Sequence, residues 1–245
     1  MKKQTLIILT ALASSAFADG LTGSLSLTNN YVARGTAQNY DQTPVLMANI
    51  NYDYKGFYLG FFTANVDFQE DRLGIQENPT DRELSFWAGY RFTVKNVTID
   101  SMFGSYNYTG DTFTALDMVE AKINLSIPVK KFVFSTSLGY LPDYFNILSH
   151  SVWADFSVSY QINDKLTVNA GIGRQFITDR GGSDVMPYNK DGYSYTTWNA
   201  GVNYTFNKNW SANISYYNTN RHDLGEIYSN NPYGNNISAA LKFSF

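Results

Sequence analysis

Two imidazoles, His150 and His222, are the only side chains in this chain poised to titrate near neutral pH, and no cysteine supplies a thiolate. A hydrolytic site needs an imidazole held against a second group that orients it. Asp223 follows His222 directly, but adjacent side chains on an extended chain point apart, and Asp143 reaches His150 only through a folded loop. Strings of the G-x-S-x-G, H-E-x-x-H or P-loop type do not occur. Aspartates at Asp71, Asp81, Asp179, Asp184 and Asp191 have the hard oxygens that calcium takes, or that divalent ions use to bridge to lipopolysaccharide. Their spacing is not that of an EF-hand, and solvated loops account for them. The expectation is therefore no catalytic residue, no metal and no cofactor.

The remaining polar chemistry is a set of isolated charges embedded in alternating sequence. From Glu83 to Phe92, Leu84, Phe86, Ala88, Tyr90 and Phe92 take one side, and Glu83, Ser85, Trp87, Gly89 and Arg91 take the other. The same period of two sorts Ser151 to Gln161, Leu166 to Gly173, Thr197 to Phe206 and Trp210 to Tyr217. One face of each strand is apolar, and the other is rich in Gly, Ser, Asn and Thr.

Composition agrees with a surface that meets something less polar than water. Of 245 residues, 16% are aromatic and only 16% are charged, against about 25% charged in ordinary soluble domains. A net charge of -3 leaves no excess of cations for nucleic-acid phosphates, so that class of partner is excluded. Residues 1–18 read as an export signal: Lys2 and Lys3, a short apolar run from Thr5 to Leu12, then Ala16-Phe17-Ala18 at the cleavage site. Residues 19–245 form a single domain.

Short polar turns at Asp53–Gly56, Thr93–Asn96, Pro128–Lys130, Asn163–Lys165 and Asn207–Asn209 alternate with longer loops near 35–43, 69–81, 109–114, 142–149, 178–192 and 218–234. Five turns plus two termini facing six loops predict an all-β, antiparallel up-and-down barrel of about twelve strands, with termini and short turns on the periplasmic side of a bacterial outer membrane. A water-soluble barrel would put its apolar face inward. Twelve strands would then enclose more space than side chains fill, and aromatics at strand ends (Tyr52, Tyr54, Phe92, Tyr160, Phe206, Trp210, Phe245) suit a membrane girdle.

The last strand, Ile237, Ala239, Leu241, Phe243 and Phe245, is similar to the terminal strand of outer-membrane proteins, whose final aromatic is read by the barrel-assembly machinery. At the other end, Leu21 to Phe68 resembles the N-terminal signature of the TorF-type porin family. The shared elements are Thr22-Gly23, Tyr31 to Gly35, Gly56 to Gly60 and Asn65 to Phe68. The resemblance implies a channel and covers about the first fifth of the chain.

Strand parity puts Arg34, Arg91, Lys122 and Lys242 inward against Asp67, Glu83, Asp100, Glu120 and Asp155. This near balance gives little basis for strong ion selection, and the charges serve equally as paired filling or as pore lining. Around Phe57 to Phe62 both strand faces are apolar. Either Leu59 and Phe61 narrow the lumen, or the strand is bulged and the cluster is packing. The reading is an outer-membrane barrel for passive diffusion of small hydrophilic solutes, in contact with membrane lipid and lipopolysaccharide. The alternative is a non-conducting anchor, adhesin or surface-interaction protein.

Overall fold

In the computed structural model, the described residues are 19–39, 43–67, 81–110, 117–144, 150–178, 193–225 and 231–245. The segment expected to be an export signal lies outside them, as do Asp71, Asp179, Asp184 and Asp191.

Alternating sequence becomes strand wherever a two-residue or four-residue turn lets consecutive segments pair. The wall strands are β1 (Gly20–Thr28), β4 (Val45–Tyr54), β5 (Phe57–Asn65), β6 (Arg82–Val94), β7 (Val97–Thr109), β8 (Met118–Val129) and β9 (Phe132–Leu141). They continue as β10 (Ser151–Gln161), β11 (Leu166–Ile177), β12 (Tyr193–Thr205), β13 (Trp210–Thr219) and β14 (Asn236–Ser244). Each pairs antiparallel with its neighbours, and β1 closes the ring by pairing with both β4 and β14. The twelve-strand closed barrel expected from the turn spacing is the observed fold. Closure leaves no free sheet edge, which a wall meeting lipid requires.

The outer face carries the apolar residues of each strand. Leu21, Leu25, Leu27, Ile50, Phe86, Phe103, Ile172, Val202, Ile214 and Leu241 are all exposed there. Aromatics ring both ends of this belt. Tyr52, Tyr54, Phe92, Phe206, Trp210 and Phe245 lie at the short-turn rim, and Tyr140, Phe176, Trp198 and Tyr216 lie toward the long-loop rim. Trp198 and Phe206 are eight residues apart on one strand line, roughly 27 Å along the chain and about 21 Å across a strand tilted by ~40°. That height is close to the apolar band of outer-membrane barrels.

Register corrects one expectation. Strand β5 pairs without interruption to β4 and β6, so there is no bulge. Leu59 is 62% exposed on the outer face, and Phe61 packs against outward Phe86 at 5.1 Å. Neither narrows the lumen. The Lys55-Gly56 turn, with both residues at positive φ, fixes this register and turns Tyr58, Gly60 and Phe62 inward instead.

The first long connection is not simply an outer loop. Within it, β2 (Val32–Ala33) and β3 (Thr36–Ala37) form a small hairpin that folds into the barrel. At the long-loop end the interior also holds a buried apolar cluster that includes Val66, Tyr108, Met118, Leu141, Ile177 and Tyr195, with Tyr31, Tyr106 and Trp153 packed against it.

Candidate functional site: a hairpin across the bore

Hairpin β2–β3 leaves the wall between β1 and β4. In the ring order, β8, β9 and β10 lie on the far side from that point. The hairpin tip reaches them. Arg34 Nη2 donates to Glu120 Oε1 of β8 at 2.8 Å, and the guanidinium lies 5.1 Å from the ring centre of Trp153 on β10. One side chain thus ties the hairpin to the opposite wall. Arg34 was expected on a wall strand, and its place at a hairpin tip corrects that. The chain turns there with Arg34 at φ 50° and Gly35 at φ 81°. A Cβ on Gly35 would fall on Thr197 of β12, so the tip fits the bore only with glycine there.

Glu120 is 1% exposed and accepts from Arg34, from Trp153 Nε1 at 2.7 Å and from the Tyr106 hydroxyl. A buried carboxylate needs such donors, because desolvating it unpaired costs several kcal/mol. A second carboxylate, Glu83, accepts from Ser85 Oγ at 2.6 Å and from Tyr31 OH at 3.3 Å, so the base of the hairpin is anchored to β6. The Thr36 and Tyr195 hydroxyls meet at 3.4 Å, and Tyr195 donates on to Gln175 at 2.9 Å. Outside the tip, Ala37 N donates to Pro232 O and Asp67 N donates to Gln38 O. Asp67, expected on a strand and inward, lies beyond the end of β5 and forms a bridge with Asn39. It fastens the hairpin rather than lining the wall.

A second charge group sits at the short-turn mouth. Arg91 donates to Asp100 at 3.2 Å, lies 3.6 Å from Asp53 and stacks 4.8 Å from the Tyr58 ring, while Tyr58 OH donates to Asp100 at 2.6 Å. On β11, β12 and β13 the inner wall is a polar ladder: Asn203 donates to Asn169, Asn213 to Asn203, and Ser215 to Asn213. Lys122 Nζ lies 5.3 Å from the Trp153 ring, on the face of β8 that carries Glu120. Asp155 and Lys242 are inward on β10 and β14, where Lys242 pairs across to Ser26 of β1 and Ser211 of β13. Phe245 lies just past β14, its backbone exchanging two 3.0 Å bonds with Gly23.

Asp53, Tyr58, Tyr106, Trp153 and Tyr31 escaped the sequence reading. A signal for part of this set exists. Tyr58, Trp87 and Trp153 each lie over a glycine that is their direct cross-strand partner, Gly89, Gly60 and Gly139 respectively. An inward aromatic facing an inward glycine marks a ring laid flat on the wall. Gly139→Val should therefore displace both Trp153 and Glu120, since a Cβ there would fall on each. The expected result is a barrel that folds but unfolds at distinctly lower urea, by about 1–3 kcal/mol; an unchanged midpoint would contradict the packing.

The histidines are placed away from this site. His150 Nδ1 lies 3.3 Å from Thr178 Oγ1, His222 Nε2 lies 3.1 Å from Asn218 Oδ1, and Asp223 is bound by Arg221 at 2.7 Å.

A family of bacterial proteins described as of unknown function, Gcw_chp, matches residues 11–243. The chain belongs to the Gcw_chp family. No curated protein matches it in sequence. Among solved structures, the fold is similar to that of the NanC porin, with a TM-score of 0.56 and 11% identity over 92% of this chain and 99% of that one. It is similar also to an outer membrane channel from Pseudomonas putida F1, with a TM-score of 0.57 and 12% identity over 95% and 98%. A third is the KdgM porin, solved in complex with disordered oligogalacturonate, at 0.53 and 12% over 92% and 98%. The likeness is one of fold: an outer-membrane porin barrel, shared almost end to end.

Proposed function

We propose that the protein is an outer-membrane channel passing small hydrophilic solutes by diffusion, with hairpin β2–β3 as its narrowest point. The observation that carries this is the closed ring itself, apolar outside and lined on the inner face of β11–β13 by an Asn and Ser ladder. A polar interior costs free energy unless it is hydrated or fully paired, and a water-filled lumen meets that need. The alternating connections put the termini and short turns in the periplasm, a leader at residues 1–18 exports the chain, and Phe245 presents the terminal aromatic to the assembly machinery. The resemblance of Leu21 to Phe68 to TorF-type porins supports the same reading.

The charges favour weak selectivity. Arg34 and Arg91 are each held by carboxylates. Among the described residues, this leaves Lys122 and Lys242 as the inward cations without an ion pair, set against Asp155 and Glu83. Such an interior does not suit a polyanion such as the oligogalacturonate in the KdgM complex.

Purified protein in planar bilayers tests the proposal. Discrete conductance steps are expected, and a silent, folded barrel would establish the anchor reading instead. In the same assay, Lys122→Glu should move the reversal potential toward cation preference, most at 0.01 M salt, where screening extends about 30 Å. A conducting variant with unchanged ion preference would show that Lys122 does not face the permeation path.

A further inference from the structure

Two arginines of the barrel wall, unlike the inward Arg91, face the same way as the apolar belt. Asp53, Glu83, Asp100, Glu120 and Asp155 all point inward, whereas Arg82 and Arg174 point outward, both at the long-loop end. Arg82 opens its strand, but Arg174 lies three residues inside β11, on the same face as exposed Ile172 and Phe176. An outward arginine costs up to about 2–4 kcal/mol at mid-membrane and little near the interface. Its position, between the girdle residues Trp198 and Phe176, puts it at headgroup depth.

The guanidinium is held in place there. Nη1 donates to Thr196 Oγ1 at 3.0 Å, Nη2 donates to Ser194 Oγ at 2.9 Å, and the plane lies 4.9 Å from the Phe176 ring. Among the described residues no carboxylate pairs with it. The same outer row continues sideways, since Arg174 faces Thr196 across the ladder and Thr196 N donates to Asn220 Oδ1 at 2.7 Å. Asn220 lines an open cleft of about 500 Å³ together with Trp198, Asn218, His222 and Asp223. An aromatic floor, side-chain amides, an imidazole, the Asp223 carboxylate neutralised by Arg221 at 2.7 Å, and a fixed guanidinium thus share one patch of the outer rim.

We propose that this patch binds the phosphorylated sugar headgroup of an outer-leaflet glycolipid, Arg174 taking a phosphate and the cleft taking sugar hydroxyls. The proposal rests on the outer-membrane placement above. Arginine matches a phosphate with paired, charge-assisted hydrogen bonds. Amides, an imidazole and a Trp edge suit hydroxyls and a sugar ring. The position selects the source of the phosphate: the patch opens to the side, over the apolar belt, so its ligand arrives from the lipid phase rather than through the bore.

Native mass spectrometry of the full-length folded barrel in detergent tests this. The probes are lipid A carrying its phosphates, dephosphorylated lipid A and inorganic phosphate. Wild type should retain the phosphorylated lipid roughly tenfold better than the dephosphorylated one, about 1.4 kcal/mol. Arg174→Gln, checked for folding by heat-modifiable migration, should abolish that preference, and Arg174→Lys should keep part of it. Should Arg174→Gln fail to fold, the pair Ser194→Ala and Thr196→Val leaves the charge but frees the guanidinium, and should also weaken the preference. A folded Arg174→Gln barrel with wild-type preference overturns the proposal, as does wild type taking both lipids equally. Displacement of lipid A by equimolar inorganic phosphate would mark a free-anion site and overturn it too. The readout is independent of conductance, so a barrel that passes no current but prefers phosphorylated lipid A still supports this site.

Discussion

Arg34→Ala should raise the mean conductance of the barrel in planar bilayers by about an order of magnitude or more, while Lys242→Ala leaves it near wild type. Among the described residues, Arg34 is the one charged tie between the hairpin tip and the far wall, joining Glu120 at 2.8 Å where the carboxylate is 1% exposed. Removing one partner of a buried ion pair costs roughly 3–5 kcal/mol, chiefly because the other is left uncompensated. Trp153 and Tyr106 still donate to Glu120, which places the effect at the low end of that range. Even about 3 kcal/mol shifts a two-state equilibrium by on the order of a hundredfold. The other ties, such as the Thr36–Tyr195 and Ala37–Pro232 hydrogen bonds, are worth only about 0.5–1.5 kcal/mol each and do not replace it. Glu120→Gln should act in the same direction but less, because the amide oxygen still accepts from Arg34, and the guanidinium left without its counter-charge is the more exposed partner of the pair. Combined with Arg34→Ala it should add little, since both changes break one interaction. Wild-type conductance in a folded Arg34→Ala protein would show that the hairpin is not the narrow point.

The wall of this barrel was legible because its rule is local. A period of two sorts each strand by itself, and alternating short and long connections count the strands and set both ends on one rim. Every inward charge assigned from a regular strand, such as Glu83, Arg91, Glu120 and Lys242, is found on the inner face. The misplacements fall where the rule has nothing to act on. At Phe57–Phe62 both faces are apolar, so parity cannot choose between Leu59 and Tyr58. Two outside features decide it: the positive-φ Lys55-Gly56 turn, and the fit of the Tyr58 ring over Gly89 on the next strand.

The hairpin was illegible for a different reason. Its strands are two residues each, too short for any periodicity, and the contact that defines it joins residues 86 positions apart. Arg34 followed by Gly35 looks like a strand residue and a turn. Only the closed ring shows that the far wall carries a buried carboxylate and an indole within its reach. The inner pairing of Arg91 with Asp53 was hidden similarly, because Asp53 was assigned to a turn when it is the last inward residue of β4.

Val202→Arg should lower the folding stability of the barrel in lipid vesicles by about 2–4 kcal/mol, whereas Ser157→Arg should cost under about 1 kcal/mol. Val202 is 44% exposed on the outer face, between Val168 of β11 and Ile214 of β13, midway between the Trp198 and Phe206 girdle positions. An arginine there has about 10 Å of apolar belt to cross before its head reaches either interface, half the belt height estimated above. Ser157 lies on the inner face opposite Gly171 and Ser135, small partners that leave room for a long side chain turned into the polar interior. Both changes introduce the same side chain and charge, and the serine site takes the larger increase in volume, so a greater loss at Val202 reads the environment of the two faces rather than size. A gap of about 2–3 kcal/mol, roughly 30- to 150-fold in the folding constant, is expected. Equal midpoints would mean that the outer face does not meet hydrocarbon, and the apolar belt would then need a protein partner to cover it.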